Sequence, residues 1–148
     1  MTTVQSPPKT FPWFRLAGTL LSIGIFGFSL AGNGYSVGDP ANPQSWAGGF
    51  VLLLIGWLGL FEGILAWLAN PVLFAAWVFS LTKFRWITLA LSVTAALMAL
   101  TFLLQPDMPV NEAGHRGPVT ALGQGYWIWI SSMLLLSVWS IIDSIIDP

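Results

Sequence analysis

The stretch WAGGFVLLLIGWLGLFEGILAWLANPVLFAAWVFSLTKFR, Trp46 to Arg85, decides how this chain folds. It is too long for one membrane helix, which needs about 20 residues, and too apolar for a water-soluble domain. Its first half carries glycines and a single acid, Glu62, and the triplet Ala69-Asn70-Pro71 then interrupts it. Pro71 disfavours helical geometry at Asn70, while Asn70 can cap a new helix with Pro71 as its first residue. This pattern predicts a spanning helix over 46–68, a helix break at Asn70 and Pro71, and a short helix over 71–82. The twelve residues of that short helix rise only about 18 Å, against a hydrocarbon core roughly 30 Å thick, so it is expected to be interfacial or re-entrant.

Composition points the same way. Hydrophobic residues make up 55% of the 148 and charged residues 7%, where an average soluble chain is about 25% charged, so polar groups are too few to cover a water-facing surface. The net charge of −1 offers no basic patch for nucleic acid, and the absence of Cys removes disulfides, Fe–S clusters and thiol chemistry. The expected fold class is an all-α membrane protein, a four-transmembrane-helix bundle in one integral membrane domain over 1–148.

The remaining spans follow from the apolar runs. Helix one is expected over 13–31, after a proline-rich lead-in of twelve residues that contains Lys9. A signal-peptide reading competes, since basic residues precede the apolar run and Ser29-Leu30-Ala31 mimics a cleavage site; a retained helix is the preferred expectation. Helices three and four are expected over 86–104 and 124–142. The segments 33–45 and 105–123, rich in Gly, Pro, Asn and Asp, read as outer loops of turns. Four spans place both termini on one side. With that side cytoplasmic, Lys9, Arg15, Lys83 and Arg85 lie inside and only Arg116 lies outside, in keeping with the positive-inside rule. A five-span alternative, with 71–82 crossing alone, fits that rule less well.

Small residues indicate how the bundle packs. At about 100° per residue, Gly56, Gly59, Gly63 and Ala66 fall in one sector of the expected second helix, where a neighbour can approach the backbone closely. Gly18, Ser22, Ser29 and Gly32 form a matching stripe on helix one, and Thr88, Ser92, Ala95 and Ala99 on helix three.

Glu62 is the one acid expected within a span, and such an acid should be protonated, paired or wetted. Lys83 or Arg85 could pair with it if the helix after Pro71 folds back. No second acid, His or Lys lies deep in another span to relay a proton onward. His115 with Asp107 and Glu112 has no recognisable metal-ligand spacing, and solvated loop charge is the expectation. Most of the nine tryptophans, including Trp13, Trp46, Trp67, Trp86, Trp127 and Trp129, fall near expected helix ends, where aromatic anchors belong. No span carries a haem ligand pair, a nucleophile-base pair or a phosphate-cradling loop, so no cofactor and no catalytic residue is expected.

The combination GWLG at 56–59, AWLANP at 66–71 and GYWIW at 125–129 resembles a group of small four-span bacterial inner-membrane proteins to which no function is attached. The resemblance covers roughly 46–135. It implies a bacterial inner-membrane location and four spans, and it brings no catalytic residues. Many members of that group carry Tyr where this chain has Leu68, a departure that removes a hydroxyl beside the Asn70-Pro71 turn.

The leading functional expectation is a non-catalytic structural or accessory subunit that packs in a homo-oligomer or larger membrane complex, with the lipid bilayer and other membrane subunits as its partners. A small transporter or channel using Glu62 and the Asn70-Pro71 break is the alternative from a different class. A pigment- or lipid-binding accessory protein is the third, more distant reading.

Overall fold

The computed structural model describes residues 13–109 and 115–146. The lead-in with Lys9, residue Glu112 and the side chain of Trp46 lie outside the described residues. Helix α1 spans Trp13–Ser29 and is followed by strands β1, Asn33–Val37, and β2, Gln44–Gly48. Helix α2, Gly49–Ile55, tightens into a 3-10 helix over Gly56–Glu62. A 3-10 turn, Leu65–Leu68, leads into α3, Ala69–Ser80. Helix α4, Arg85–Leu100, ends in a 3-10 turn over Thr101–Leu104, and β3, Asp107–Pro109, β4, Arg116–Leu122, and α5, Gln124–Ile146, complete the chain.

Four helical rods pack side by side, with α5 between α1 and α4, and α4 between α5 and α3. Two of them, Arg85–Leu104 and Gln124–Ile146, are long and apolar enough to cross a membrane. Their 20 and 23 residues rise about 30 and 35 Å at 1.5 Å per residue. The rods Trp13–Ser29 and Leu65–Ser80 are apolar but shorter.

Small and hydroxylated residues line the seams. Ser22, Ser92, Ser132 and Thr88 are buried beside Leu73, Ala76, Ala95, Ala99 and Met133. The serine hydroxyls are used, while that of Thr88 is buried without a partner among the described residues: Ser22 Oγ donates to the Ser132 carbonyl over 2.8 Å, Ser137 Oγ donates to Ser92 Oγ over 2.9 Å, and Thr19 and Ser80 share a 2.6 Å bond. Close approach and interhelical hydrogen bonds of this kind hold helices together where burial from water supplies little drive. Where α1 ends and α5 begins, the backbones nearly touch: a Cβ on Gly32 would lie 2.8 Å from the Gly125 nitrogen.

The segments expected as outer loops form a four-stranded antiparallel sheet in the order β2-β1-β4-β3, so the class is helical with a small sheet rather than all-α. Each strand is three to seven residues long; β1 with β2 and β3 with β4 pair locally, and the β1–β4 pairing joins these two distant parts of the chain. Tyr35 and Val37 turn inward from β1 while Ser36 between them stays partly exposed, an alternation too brief to stand out among the surrounding glycines and prolines. The sheet closes one end of the bundle.

The stretch from Trp46 to Arg85 also departs from expectation. A single helix over 46–68 is absent: the chain is a strand to Gly48, a helical arm over Gly49–Glu62, and then a reversal. Gly63 adopts φ +79 and Ile64 is extended, with φ −85 and ψ 97. A left-handed residue after a helix is the usual stop, and glycine takes that conformation without a Cβ clash. The helical run Leu65–Ser80 then passes through Asn70 and Pro71 without breaking. Pro71 lacks the N–H that would bond the Trp67 carbonyl; the Asn70 side-chain Nδ2 donates to that carbonyl instead, over 3.1 Å. The reversal therefore lies at Gly63-Ile64 and not at Asn70-Pro71. The arm before the reversal, 49–62, and the run after it, Leu65–Ser80, are both shorter than the two longest rods, and the run after the reversal packs along α4.

Candidate functional site: an apolar chamber beneath the arm

The arm Gly49–Glu62 contains no buried residue. Its base is fixed by backbone bonds, Gly49 N–H to the Gly32 carbonyl over 2.8 Å and Phe50 N–H to the Leu30 carbonyl over 3.0 Å. Midway, the Trp67 indole donates to the Leu53 carbonyl over 3.0 Å. Glycines make these approaches possible. A Cβ on Gly34 would lie 2.3 Å from Leu52 Cδ1, and one on Gly56 would lie 2.7 Å from Trp67 Cδ1.

Between arm, bundle and sheet lies a cavity of about 410 Å³, within the range of roughly 300–1,000 Å³ that small-molecule sites occupy. Leu52, Leu53 and Leu58 line it from the arm, Ile64, Ala66 and Phe102 from the bundle, and Met108 and Tyr35 from the sheet. Part of its wall is aromatic: the Phe102 ring lies 5.2 Å from that of Tyr35 and 5.8 Å from that of Tyr126.

Most polar groups along the wall are already satisfied by the protein. Asn70 accepts a 3.0 Å bond from the Trp129 indole and donates to the Trp67 carbonyl, Tyr126 Oη donates to the Ala99 carbonyl over 3.0 Å, and Ser29 Oγ donates to the Phe26 carbonyl over 2.6 Å. Tyr35 differs. It is only 3% exposed and lines the cavity, yet its hydroxyl makes no hydrogen bond among the described residues. Burial, and secondarily the negative charge of Glu62, push its pKa up to about 12, since both disfavour phenolate.

Glu62 also lines the cavity and is itself exposed. Its Oε2 accepts a bond from Arg116 Nη1, while Arg116 Nε donates to Asp107 Oδ1 over 2.6 Å. The bonds to Asp107 first and to Glu62 second raise the Arg116 pKa above its ordinary value. All three side chains remain more than two-fifths exposed, so the cluster is solvent-screened and contributes little to stability.

The expected site residues are thus redistributed. Glu62 sits at the sheet end with Arg116, whereas Lys83 and Arg85 lie at the far end of the bundle. There Arg85 Nη1 donates to the Asp143 carbonyl, and Arg15 forms a 2.9 Å ion pair with Asp143. The Lys83 ammonium lies 5.8 Å from the Phe84 ring centre. Asn70 and Pro71 stand within a continuous helix. Gly56, Gly59, Gly63 and Ala66 do not share one helix: Gly56 lies over Trp67, Gly59 over Ile64, Gly63 makes the turn, and Ala66 is buried in the cavity wall.

Tyr35 and Arg116 were not among the candidate residues, because they lie in segments read as loops; the sheet brings Arg116 to Glu62 and sets Tyr35 in the lining of the same cavity. The one sequence signal was the Y-S-V alternation at 35–37. Among the described residues, no three His, Cys, Asp or Glu side chains gather into a metal site. Comparison with family models, curated proteins and solved structures finds no match.

Proposed function

We propose that this chain is a four-span bacterial inner-membrane protein whose non-catalytic role is to hold an apolar ligand, the chain of a lipid or lipid-like molecule, in the chamber beneath the arm. The observation that carries the proposal is the chamber itself: about 410 Å³ of space, walled by apolar and aromatic side chains, whose polar wall atoms other than those of Tyr35 and Glu62 are internally bonded. Apolar burial with few convergent polar groups is the usual constitution of a small-molecule site.

Membrane embedding is supported by outward apolar faces on every rod, with Val78, Leu97, Val138 and Ile145 all exposed. Arg15, Lys83 and Arg85 lie at one end and Arg116 at the other, so the positive-inside rule puts the sheet and the chamber outside, and the start of α1 and the end of α5 in the cytoplasm. The arm then rests at the outer interface, and Leu65–Ser80 makes the second crossing.

A second reading, an accessory subunit of a homo-oligomer or larger membrane complex, is favoured by one feature. Phe50, Trp57 and Phe61 stand exposed on the arm, Phe61 at 82%, and would suit an intramembrane neighbour as well as lipid. The geometry gives transport no comparable support, because Glu62 is engaged by Arg116 and Asn70 by Trp67 and Trp129.

Purification of the full chain in mild detergent, followed by solvent extraction and mass spectrometry, tests ligand holding. Wild-type protein is expected to retain about one apolar molecule per chain, and Leu58→Trp, which adds bulk to the chamber wall from a half-exposed position on the arm, is expected to lose it while keeping its helical circular dichroism. Wild-type protein that retains nothing and takes up no added long-chain amphiphile contradicts the proposal.

A further inference from the structure

We infer that the chamber selects an amine-headed membrane lipid, one of whose chains occupies the apolar cavity while its primary ammonium sits at the opening between the Tyr35 hydroxyl and Glu62. This rests on the reading of the chamber as a lipid site and adds the chemistry of the head.

Three observations at the opening support it. The first is the Tyr35 hydroxyl, which belongs to a cavity-lining residue only 3% exposed and has no hydrogen-bond partner among the described residues. A molecule seated in the chamber is positioned to supply one. The second is the charge balance of the sheet end. Among the described residues it carries Asp39, Glu62 and Asp107 against Arg116, so one guanidinium answers three carboxylates. The third is the way Arg116 is used. It engages Glu62 through Oε2 and Asp107 through Oδ1, and Glu62 Oε1 has no protein partner among the described residues.

An ammonium has three donors and no acceptor. It can give one hydrogen to Glu62 Oε1 and one to the Tyr35 oxygen while its third remains in water, and the bond to the carboxylate is charge-assisted but screened by solvent, since the Glu62 side chain is 42% exposed. A carboxylate or phosphate monoester placed there would instead meet excess negative charge, with Arg116 already engaged. A neutral hydroxyl head could bond to Tyr35 but would gain no charge attraction. The bilayer is the natural source of such a ligand, because the cavity is walled on one side by the apolar arm and an amine without a tail would leave its walls unfilled.

The test uses the full chain in detergent and three probes with the same tail: tetradecylamine, tetradecanol and tetradecanoate. Binding is read by the change in tryptophan fluorescence, since Trp67 and Trp129 line the cavity. The amine is expected to bind about tenfold more tightly than the carboxylate, which corresponds to one charge-assisted contact, with the alcohol between them. Glu62→Gln is expected to bring the three probes to within about threefold of one another, and Tyr35→Phe to weaken the amine and the alcohol but not the carboxylate. Should Glu62→Gln fail to fold, Asp107→Asn removes a charge from the same cluster without touching the cavity wall, and it is expected to narrow the preference. From vesicles of equal phosphatidylethanolamine and phosphatidylglycerol, the chain is expected to carry away the former. Equal binding of all probes by wild-type protein, or a preference for the carboxylate or for phosphatidylglycerol, overturns the head assignment and leaves the chamber reading intact. Failure of every probe to bind overturns both.

Discussion

Trp129 on α5 donates its indole N–H to the side-chain oxygen of Asn70 on α3 over 3.0 Å, and the nitrogen of the same amide bonds the carbonyl of Trp67 that Pro71 cannot reach. One side chain thus repairs the helix at a proline and ties that helix to another rod. Asn70→Leu removes both bonds and leaves the indole N–H without its acceptor. An unsatisfied buried group costs roughly 1–3 kcal/mol, and that loss is expected in a reversible unfolding titration in detergent. Trp129→Phe is expected to cost less in hydrogen bonding, about 0.6 kcal/mol on the average for interhelical bonds within membranes, because Asn70 keeps its bond to Trp67.

Glycines on α1 divide sharply by what lies opposite them. A Cβ at Gly18 would fall 2.3 Å from Trp139 Cδ1, whereas at Gly24 and Gly27 nothing lies within 4 Å. Gly18→Ala must push the Trp139 ring aside and disturb its 2.8 Å bond to the Phe14 carbonyl; overpacking of this sort typically costs about 1–3 kcal/mol. Gly24→Ala and Gly27→Ala are expected to be neutral or to stabilise by up to about 1 kcal/mol, through better helix propensity. The three melting curves, measured side by side, check the ranking.

Tyr35 should report its surroundings by titration. Burial and the charge of Glu62 favour the neutral phenol, so the folded chain holds that proton up to about pH 12, whereas the unfolded chain releases it near 10. The stability arising from this difference is complete below pH 10 and is lost as the pH rises from 10 to 12. The difference between the tyrosinate absorbance of wild-type protein and of Tyr35→Phe is expected to rise near pH 12. A rise near pH 10 in folded protein would place Tyr35 in water.

Much of this architecture can be read from local features. The apolar runs behind α1, α4 and α5 are long, and the stripes Ser22/Ser29 and Thr88/Ser92/Ala95/Ala99 are buried in the seams. The stretch from Trp46 to Arg85 misleads for a specific reason. Proline is a strong local signal of a break, but Asn70 compensates for it through a bond that composition does not display. The actual reversal depends on one left-handed glycine, Gly63, set among Gly56, Gly59 and others that look the same in sequence. The β1–β4 pairing and the Glu62–Arg116 pair were hidden for a different reason: their members are 54 positions apart, between Glu62 and Arg116, to 87 apart, between Tyr35 and Leu122, and they are brought together by strands too short to show a period.

The proposed outer position of the chamber rests on Leu65–Ser80 being a crossing, and the chain has no Cys, so single cysteines can decide the matter. Ser36→Cys, Glu62→Cys and Thr82→Cys are placed in the full chain in sealed, oriented vesicles and exposed to a membrane-impermeant thiol reagent. With Leu65–Ser80 as the crossing and the arm at the outer interface, positions 36 and 62 react from the same side and position 82 only from the other. Protection of position 62 from both sides, or labelling of 62 and 82 from one side, would contradict the account.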